Sequence, residues 1–441
     1  MWSVILFIII SFAGFSLAYI NYKKLYRNIK LGKPEKVDGN ALDRWKKVVL
    51  IAFGQKKMFK MWKPAVLHFF IYAAFLLTQL ELIEIVLDGL LHRHRIFASP
   101  LGNFYTFLIS FIEVLSFLAL VATLVFLWRR NVQKVDRFEK PEMVGWPKRD
   151  ANLILIGELL LIIGIMSMNG AERVLAQISP DMNGQAGHFL ISRYIGPALF
   201  GGMSISSLHI LERGGWWLHY LVVLGFLNYL PFSKHLHIFL AFINVYYSKI
   251  NPRGEMENMP VIMNEVKSML GLAVESTQPA AISDPGLDEF GAKDVFDLSQ
   301  RILLGAYSCT ECGRCTMVCP ANITGKKLSP RKIMMDIRDR MQEIGKNLDH
   351  GSHVIPGYED GKSLFSYISA EELHACTTCQ ACVEACPVLI NPMEPILELR
   401  RNEILSQSKG PASWTAMFNS LENNGCVWPM SQSRTDWANQ N

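Results

Sequence analysis

Long apolar runs separated by short polar segments fill the first 250 residues. Five runs have the length and apolarity of a membrane-spanning helix, which needs about 20 residues: roughly 2–20, 65–87, 104–127, 152–170 and 216–233. A sixth apolar stretch, 194–211, is broken by glycine and proline, and we interpret it as re-entrant or interfacial. The pattern therefore predicts a bundle of five transmembrane helices.

The pattern changes after residue 250, where charged and apolar residues mix as in a soluble domain. The segment RKIMMDIRDRMQEIG, which follows LSP, has the spacing of an amphipathic helix. We therefore predict an all-α protein whose transmembrane bundle is followed by a cytoplasmic helical domain. The predicted divisions are a membrane domain at 1–250, a linker at 251–299, a cysteine-rich domain at 300–405 and a docking tail at 406–441.

Charge and composition agree with this division. Hydrophobic residues make up 50% of the chain and charged residues 19%, which is typical of a membrane protein. The net charge of +5 is concentrated in two loops, 21–63 and 129–149, whereas 88–103 and 171–215 contain much less Lys and Arg. By the positive-inside rule the N-terminus is outside and everything after residue 234 is cytoplasmic. A charge distributed in this way gives no indication of nucleic-acid binding.

Two cysteine runs are the most specific motifs in the chain. CTECGRCTMVCP and CTTCQACVEACP both follow the pattern C-x2-C-x2-C-x3-C-P, which is typical of a pair of 4Fe–4S clusters. In this pattern the fourth cysteine of each run binds the other cluster. The predicted ligand sets are Cys309, Cys312, Cys315 and Cys386 for one cluster, and Cys376, Cys379, Cys382 and Cys319 for the other.

Structural zinc is the alternative, because four thiolates also suit that metal. Zinc sites are usually built from paired C-x2-C hairpins, however, and not from three evenly spaced cysteines with a fourth before proline. The repeated pattern therefore favours two iron–sulfur clusters close enough to exchange electrons.

Histidines in or beside the membrane spans form the second candidate site. His68 lies one turn into the second span, and His235 and His237 lie at the foot of the fifth. The two spans run in opposite directions, so these histidines fall at the same depth. Facing imidazoles in a bundle core suit a b-type haem. The alternative is a set of interfacial histidines hydrogen-bonded to water or lipid headgroups.

His219 extends this histidine pattern toward the outer side of the membrane. It precedes His237 by 18 residues, about 27 Å along a helix that brings both side chains to one face. The spacing suits a second haem above the first. Lys234, beside the inner histidines, is assigned to a haem propionate or a lipid phosphate. Farther out, Glu81 and Glu84, followed by Asp88 at the end of the span, suit proton uptake by the first two; the alternative is acids paired with Arg93 or Arg95 at the rim.

These motifs resemble a known group of proteins. Residues 1–245 resemble the five-span haem b subunit of respiratory nitrate reductase, its gamma subunit, and the membrane subunit of heterodisulfide reductase. Residues 300–405 resemble the C-type dicluster module of heterodisulfide reductase and that of anaerobic glycerol-3-phosphate dehydrogenase. The fusion resembles membrane-bound iron–sulfur oxidoreductases, some of which serve electron-transfer flavoprotein.

The resemblance implies a multi-pass protein of the bacterial inner membrane that transfers electrons between a cytoplasmic redox partner and membrane quinone. It implies an inner haem b on His68 and on His237 or His235. In the nitrate reductase family a second histidine follows about ten residues after the first on the second helix, but here Thr78 lies near that position. A second haem at His219 therefore stays an open alternative.

The partner is expected to be a separate subunit. Larger relatives continue into cysteine-rich CCG domains, and we expect the tail at 406–441 to dock a subunit of that type, with electron-transfer flavoprotein as one candidate donor. Two alternatives remain: a haem-free membrane anchor for a soluble iron–sulfur oxidoreductase, and a subunit of a thiol/disulfide complex like heterodisulfide reductase. The chain shows no G-x-G-x-x-G, nucleophile elbow or flavin motif of its own.

Overall fold

The computed structural model describes residues 2–37, 39–178, 189–252, 254–256, 258–272, 290–351, 357–428 and 435–438. The described chain is helical. It contains no β-strand within these ranges, and an isolated parallel bridge joins Lys33 to Ser299. The predicted linker at 251–299 and the predicted tail at 406–441 both lie partly outside the described residues.

Within the described ranges the membrane half contains eight helices. Four segments are long and apolar enough to cross a membrane: Trp2–Ile29, Ala41–Leu91, Ala98–Asn131 and Trp146–Ile178. They match the first four predicted spans. The helices are α1 Trp2–Ile29, α2 Ala41–Lys47, α3 Trp62–Leu91, α4 Ala98–Asn131, α5 Trp146–Ile178, α6 Ser192–Phe200, α7 Ile205–Tyr229 and α8 His237–Tyr247.

The fifth predicted span lies in α7, which has 25 residues and packs against α1, α3 and α5. It is less apolar than the other four because Glu212, Arg213 and His219 lie within it. Its crossing of the membrane stays a prediction. The predicted re-entrant stretch is divided between α6 and the first turns of α7, which begin where the Ser204 side chain accepts a hydrogen bond from the Ser207 N–H.

The chain does not continue from His219 to His237 as one helix, so that part of the prediction is wrong. α7 ends at Tyr229, and short 3-10 turns occupy Leu230–Phe232 and Lys234–Leu236 before α8 begins at His237. Pro231 lies within the first turn and has no N–H to continue the helical ladder. The two histidines therefore reach the bundle interior from different helices.

The cysteine-rich half is built around the long helix α13. Ser329 caps this helix by accepting a hydrogen bond from the Lys332 N–H, and Pro330 follows at a position that needs no donor. Its apolar face, which includes Ile337 and Ile344, is fully buried. The helices of this half are α9 Pro260–Met269, α10 Gln300–Ser308, α11 Arg314–Met317, α12 Pro320–Ile323, α13 Pro330–Asp349, α14 Ala370–His374, α15 Ala381–Ala385, α16 Met393–Arg401 and α17 Ala412–Asn424.

The two halves meet through buried polar contacts. Arg331 of α13 is 1% exposed and bonds to the Glu142 carboxylate and the Arg137 carbonyl, both at 2.7 Å. At the end of α1, the Asn28 amide donates to the Tyr307 hydroxyl at 3.1 Å. Both Lys- and Arg-rich loops of the membrane half thus lie against the cysteine-rich half. The cellular side on which this end lies stays a prediction.

Candidate metal and histidine sites

The two cysteine loops adopt the same backbone conformation. In each loop the residues immediately before and after the second cysteine have positive φ angles: 53° at Glu311 and 74° at Gly313 in the first, 54° at Thr378 and 60° at Gln380 in the second. Left-handed residues curl an extended chain tightly, so three cysteines separated by two residues each can surround one small volume. The sequence repeat is therefore also a structural repeat.

Gly313 also lies close to a neighbouring side chain. A β-carbon there would lie 2.7 Å from Nη1 of Arg331, the buried arginine that joins the two halves. In the second loop Gln380 occupies the same position, and its amide oxygen accepts a hydrogen bond from the Gly254 N–H at 2.9 Å. At this position the first loop packs directly against Arg331, whereas the second loop has room for the side chain of Gln380.

The structure brings the cysteines together in the two sets that their spacing predicts. The first three cysteines of the first run and the last of the second line one cavity. The thiol of Cys319 instead lies close enough to Cys376 and Cys382 to interact electrostatically with them, as does that of Cys379. Each set therefore combines both runs. The cavity-lining set is Cys309, Cys312, Cys315 and Cys386.

The cysteine environment suits a metal cluster. Burial raises the pKa of Cys309 and Cys382 to about 12, so at neutral pH these sulfurs hold protons unless a metal displaces them. The backbone N–H of Ile390 donates to Sγ of Cys386 at 3.2 Å, a contact that stabilises negative charge on sulfur. Across the described part of the chain, no three His, Cys, Asp or Glu side chains converge on the position of a single metal ion.

Three histidines meet at the end of the bundle nearest to the cysteine-rich half. The ring centroids of His68 and His237 are 6.4 Å apart with an interplanar angle of 40°, and those of His235 and His237 are 5.8 Å apart. Nδ1 of His237 donates to the Lys234 carbonyl at 3.0 Å, and Nδ1 of His68 donates to Oε1 of Gln55 at 3.3 Å. These bonds select the tautomer that leaves Nε2 of both rings without a proton.

His235 differs from the other two. Its Nδ1 is buried without a hydrogen-bond partner, and its Nε2 lies 3.8 Å from the carboxylate of Glu158. Glu158 lies within the fourth span, and sequence reasoning overlooked it even though a charged residue inside a span is itself a signal of function. His235 therefore belongs to a pair with Glu158 as well as to the histidine cluster.

His219 lies deeper in the bundle. It is 7% exposed, and its Nδ1 donates to the Leu161 carbonyl at 3.1 Å. It lines an internal cavity of about 300 Å³ together with His235, Glu158 and Thr78. Thr78 is the residue found where the second haem ligand of the nitrate reductase family was expected. The structure thus places His219 apart from His68 and His237.

Lys234 connects the histidines to the first cysteine loop, which corrects its assignment to a propionate or a lipid. Its side chain is 7% exposed, and its ammonium group pairs with the carboxylate of Glu311, which lies between Cys309 and Cys312 in the sequence. It also donates to the Pro147 carbonyl at 2.6 Å. Buried charges require such partners. The ammonium group of Lys234 therefore binds the first cysteine loop to the membrane half.

Glu311 also pairs with Arg338 of α13 at 2.7 Å. Burial raises the pKa of its carboxyl group, but Lys234 and Arg338 outweigh burial and hold that pKa below its ordinary value. Glu311 therefore stays ionised at neutral pH. Glu311 was not among the site residues predicted from the sequence.

A separate polar cluster lies at the opposite end of the bundle. Arg95 is 4% exposed and bonds to Glu172 at 2.9 Å and to Asn169 at 2.6 Å. It also lies 3.6 Å from Glu81 and 3.7 Å from Glu84. The sequence left two roles open for Glu81 and Glu84, proton uptake or pairing with an arginine. The structure supports pairing with Arg95.

Comparison with known proteins identifies the cysteine-rich region. Residues 308–390 match the 4Fe-4S dicluster domain family. The chain is 27% identical, over 99% of its length, to the probable iron-sulfur-binding oxidoreductase FadF of Bacillus subtilis, of which it covers 61%. It is 25% identical, over 89% of its length, to the EtfAB:quinone oxidoreductase of Syntrophomonas wolfei, of which it covers 53%.

A shorter match agrees with the expected resemblance to heterodisulfide reductase. The chain is 33% identical, over 22% of its length, to the C component of the ferredoxin:CoB-CoM heterodisulfide reductase of Methanosarcina mazei, of which it covers 46%. The chain thus spans less than two thirds of the length of each of these three relatives. No solved structure matches it.

These matches confirm the prediction of iron–sulfur chemistry from the two cysteine runs. Residues 308–390 match the 4Fe-4S dicluster domain family, and the chain, which has four helices long and apolar enough to cross a membrane, is similar over 99% of its length to a probable iron-sulfur-binding oxidoreductase.

Proposed function

We propose that this protein is a membrane electron-transfer subunit that connects a cytoplasmic redox partner with membrane quinone. In the proposed route electrons pass between the two cysteine sets and a haem b at His68 and His237. The similarity to an EtfAB:quinone oxidoreductase supports the quinone end of the route. The dicluster domain supports the iron–sulfur end. The basic loops beside that domain support a cytoplasmic location for it.

One observation carries this proposal: Lys234 contacts both candidate centres. Its ammonium group binds Glu311 in the first cysteine loop, and its carbonyl oxygen accepts the Nδ1 proton of His237. A second contact runs in parallel, because the guanidinium of Arg314, next to Cys315, donates to the carbonyls of Lys57 and Met58 at 3.2 Å each, just before α3. The first cysteine set is therefore the one adjoining the histidines.

We propose that each cysteine set holds one 4Fe–4S cluster. A 4Fe–4S cluster supplies one-electron transfer, and its potential responds to hydrogen bonds and nearby charge. The described residues contribute four thiols per set, a backbone N–H to Cys386 and the buried Glu311 carboxylate beside the first set.

Exchange of a cysteine by serine tests the crossed ligand sets. We expect Cys312→Ser and Cys386→Ser to lose the same cluster, with about four irons fewer per chain and the same EPR signal missing. Cys379→Ser and Cys319→Ser should remove the other signal. Cys426→Ser, outside both sets, is the matched control and should keep all iron. If Cys386→Ser abolished the signal that Cys379→Ser abolishes, the crossed assignment would be wrong.

The histidine geometry fits a haem b. Two imidazole rings that held one metal through their Nε2 atoms, with metal–nitrogen bonds of about 2 Å, would have centroids about 6 Å apart, close to the 6.4 Å between His68 and His237. Each ring donates its Nδ1 proton to an oxygen and so has Nε2 free for a metal, as is usual for histidine ligands. A b-type haem held by His68 and His237 would supply one-electron transfer. The hydrogen bonds from Nδ1 to Gln55 and to the Lys234 carbonyl fix the orientation of the two rings.

Alanine substitutions test this site. His68→Ala and His237→Ala should each abolish the reduced alpha band of b-type haem in the visible spectrum of the purified protein. His235→Ala, which removes a neighbouring ring without removing either proposed ligand, should retain the band. A band that survives both His237→Ala and His235→Ala would refute the assignment. A wild-type protein that contains iron–sulfur clusters but lacks the band would support the haem-free anchor instead.

Substitution of Lys234 tests the connection between the two centres. Lys234→Met leaves Glu311 with Arg338 alone, and loss of one partner of a buried pair costs about 3–5 kcal/mol of unfolding free energy. The remaining negative charge should also lower the midpoint potential of the first cluster, measured by EPR redox titration. Lys326→Met, at an exposed position of the same domain, should leave both unchanged. An unaltered potential in Lys234→Met would show that Lys234 does not influence the cluster.

We propose a separate CCG-type iron–sulfur subunit as the cytoplasmic partner, with electron-transfer flavoprotein as one candidate donor. Helix α17 lies close to the second cysteine set, since Trp414 packs on His374 with ring centroids 4.7 Å apart, and Trp428 beyond it is 73% exposed. Purification of the intact protein from its native membrane should bring such a subunit with it. Recovery of the chain alone, under conditions that retain both clusters, would contradict this part of the proposal.

A further inference from the structure

The internal cavity of the bundle is not used by the proposed haem ligands. It has a volume of about 300 Å³, and its wall combines aliphatic and aromatic side chains with a few polar groups, among them His219, Glu158 and His235. Mostly apolar cavities with a small number of placed polar groups are typical ligand sites. His68 and His237 are not among the residues that line it.

The cavity extends to the outer surface of the bundle. Phe15 of α1 and Phe239 of α8 line its wall, and they are 54% and 44% exposed. A ligand can therefore enter from the apolar phase of the membrane without crossing the aqueous loops. This access favours a lipid-soluble ligand.

The polar groups of the wall suit a ligand that exchanges protons. Nδ1 of His219 donates to the Leu161 carbonyl, so Nε2 is the ring nitrogen that remains as an acceptor. The Glu158 carboxylate is 3.8 Å from Nε2 of His235, which gives a proton on either group a second place to reside. A para-quinone has oxygen atoms on opposite sides of its ring, and the wall offers two separate polar positions.

A second haem fits the same cavity less well. A haem at His219 would bring two carboxylates into a space whose wall already contains the acid Glu158, and no Lys or Arg stands among the described residues of that wall. Thr78, near the expected position of a facing ligand, donates its hydroxyl proton to the Phe75 carbonyl at 3.2 Å. A hydroxyl group does not replace an imidazole as a haem ligand.

We propose that this cavity binds the ring of a membrane quinone, with Glu158 and His219 as the residues that exchange protons with it. The inference rests on the proposed function, which names quinone as the electron partner. When a quinol is oxidised its two O–H bonds break: one proton passes to Glu158 and the other to Nε2 of His219. The two electrons leave one at a time along the proposed route, and quinone reduction reverses these steps.

The first test follows electron entry from menadiol, the quinol of 2-methyl-1,4-naphthoquinone, into the full-length protein in lipid nanodiscs. Glu158→Gln should slow menadiol-driven reduction of the bound centres, followed by stopped-flow absorbance, by about 100-fold, because a proton acceptor is lost. Its iron content, haem content and reduction by dithionite should not change. Glu113→Gln is the matched control: Glu113 is another buried acid of the bundle, but it binds the N–H groups of Ile191 and Ser192 and does not line the cavity.

Wild-type rates in Glu158→Gln, or equal slowing in Glu113→Gln, would overturn the role of Glu158. A count of two haems per wild-type chain, with one lost in His219→Ala, would overturn the quinone assignment of the cavity.

The second test needs no electron transfer, so it separates this inference from the proposed function. Trp216 stacks on Tyr220 of the cavity wall, with ring centroids 6.0 Å apart. Menadione bound in the cavity should quench tryptophan fluorescence with saturation, and Ala119→Phe, which fills the cavity from α4, should raise the half-saturating concentration at least tenfold. Unchanged quenching in Ala119→Phe would overturn the site. If the purified wild-type protein contained no haem or no clusters, the proposed function would be contradicted. The titration would still decide whether the cavity binds the quinone.

Discussion

The burial of Lys234 is the constraint on which the relation between the two halves depends. A buried ammonium group is costly unless anions and carbonyl oxygens surround it, and here these partners come from two separate parts of the chain. Glu311 lies in the first cysteine loop, whereas Pro147 and Asp150 lie in the first turns of α5, with the Asp150 carboxylate 3.8 Å from the ammonium group. The cation can be satisfied only when the cysteine-rich half is docked on the bundle.

Docking in turn organises the histidines. The turn that contains Lys234 is held by Asp150, which accepts hydrogen bonds from the Ser233 hydroxyl and the Lys234 N–H at 2.6 and 3.1 Å. His237 begins the next helix and uses the Lys234 carbonyl to orient its ring. This turn therefore binds the first cysteine loop and orients the His237 ring, which lies next to His68. In the proposed route this arrangement shortens the path between the two centres to a few residues.

The interior of the membrane half is divided by polarity. The histidine cluster occupies the end nearest to the dicluster domain, Arg95 and its acids occupy the far end, and the largely apolar cavity lies between them. Polar groups within a membrane are costly unless paired, and Arg95 is satisfied by such pairs. Glu158 is paired more weakly, since its carboxylate lies 3.8 Å from His235. Proton exchange is therefore proposed for Glu158 in the cavity and not for the acids around Arg95.

Local sequence patterns by themselves determined much of the architecture of this protein. The four most apolar segments, the dicluster motif and the crossing of its fourth cysteines follow from hydrophobic length and from residue spacing, which are properties of neighbouring residues. The approach of His68 to His237 also followed, because antiparallel spans return to the same depth. The tertiary structure decided the rest: the separation of His219 from the histidine cluster, and the partners of Lys234 and Glu158. Each of these depends on contacts between residues far apart in the chain, and burial sets their energy, so no local pattern could predict them.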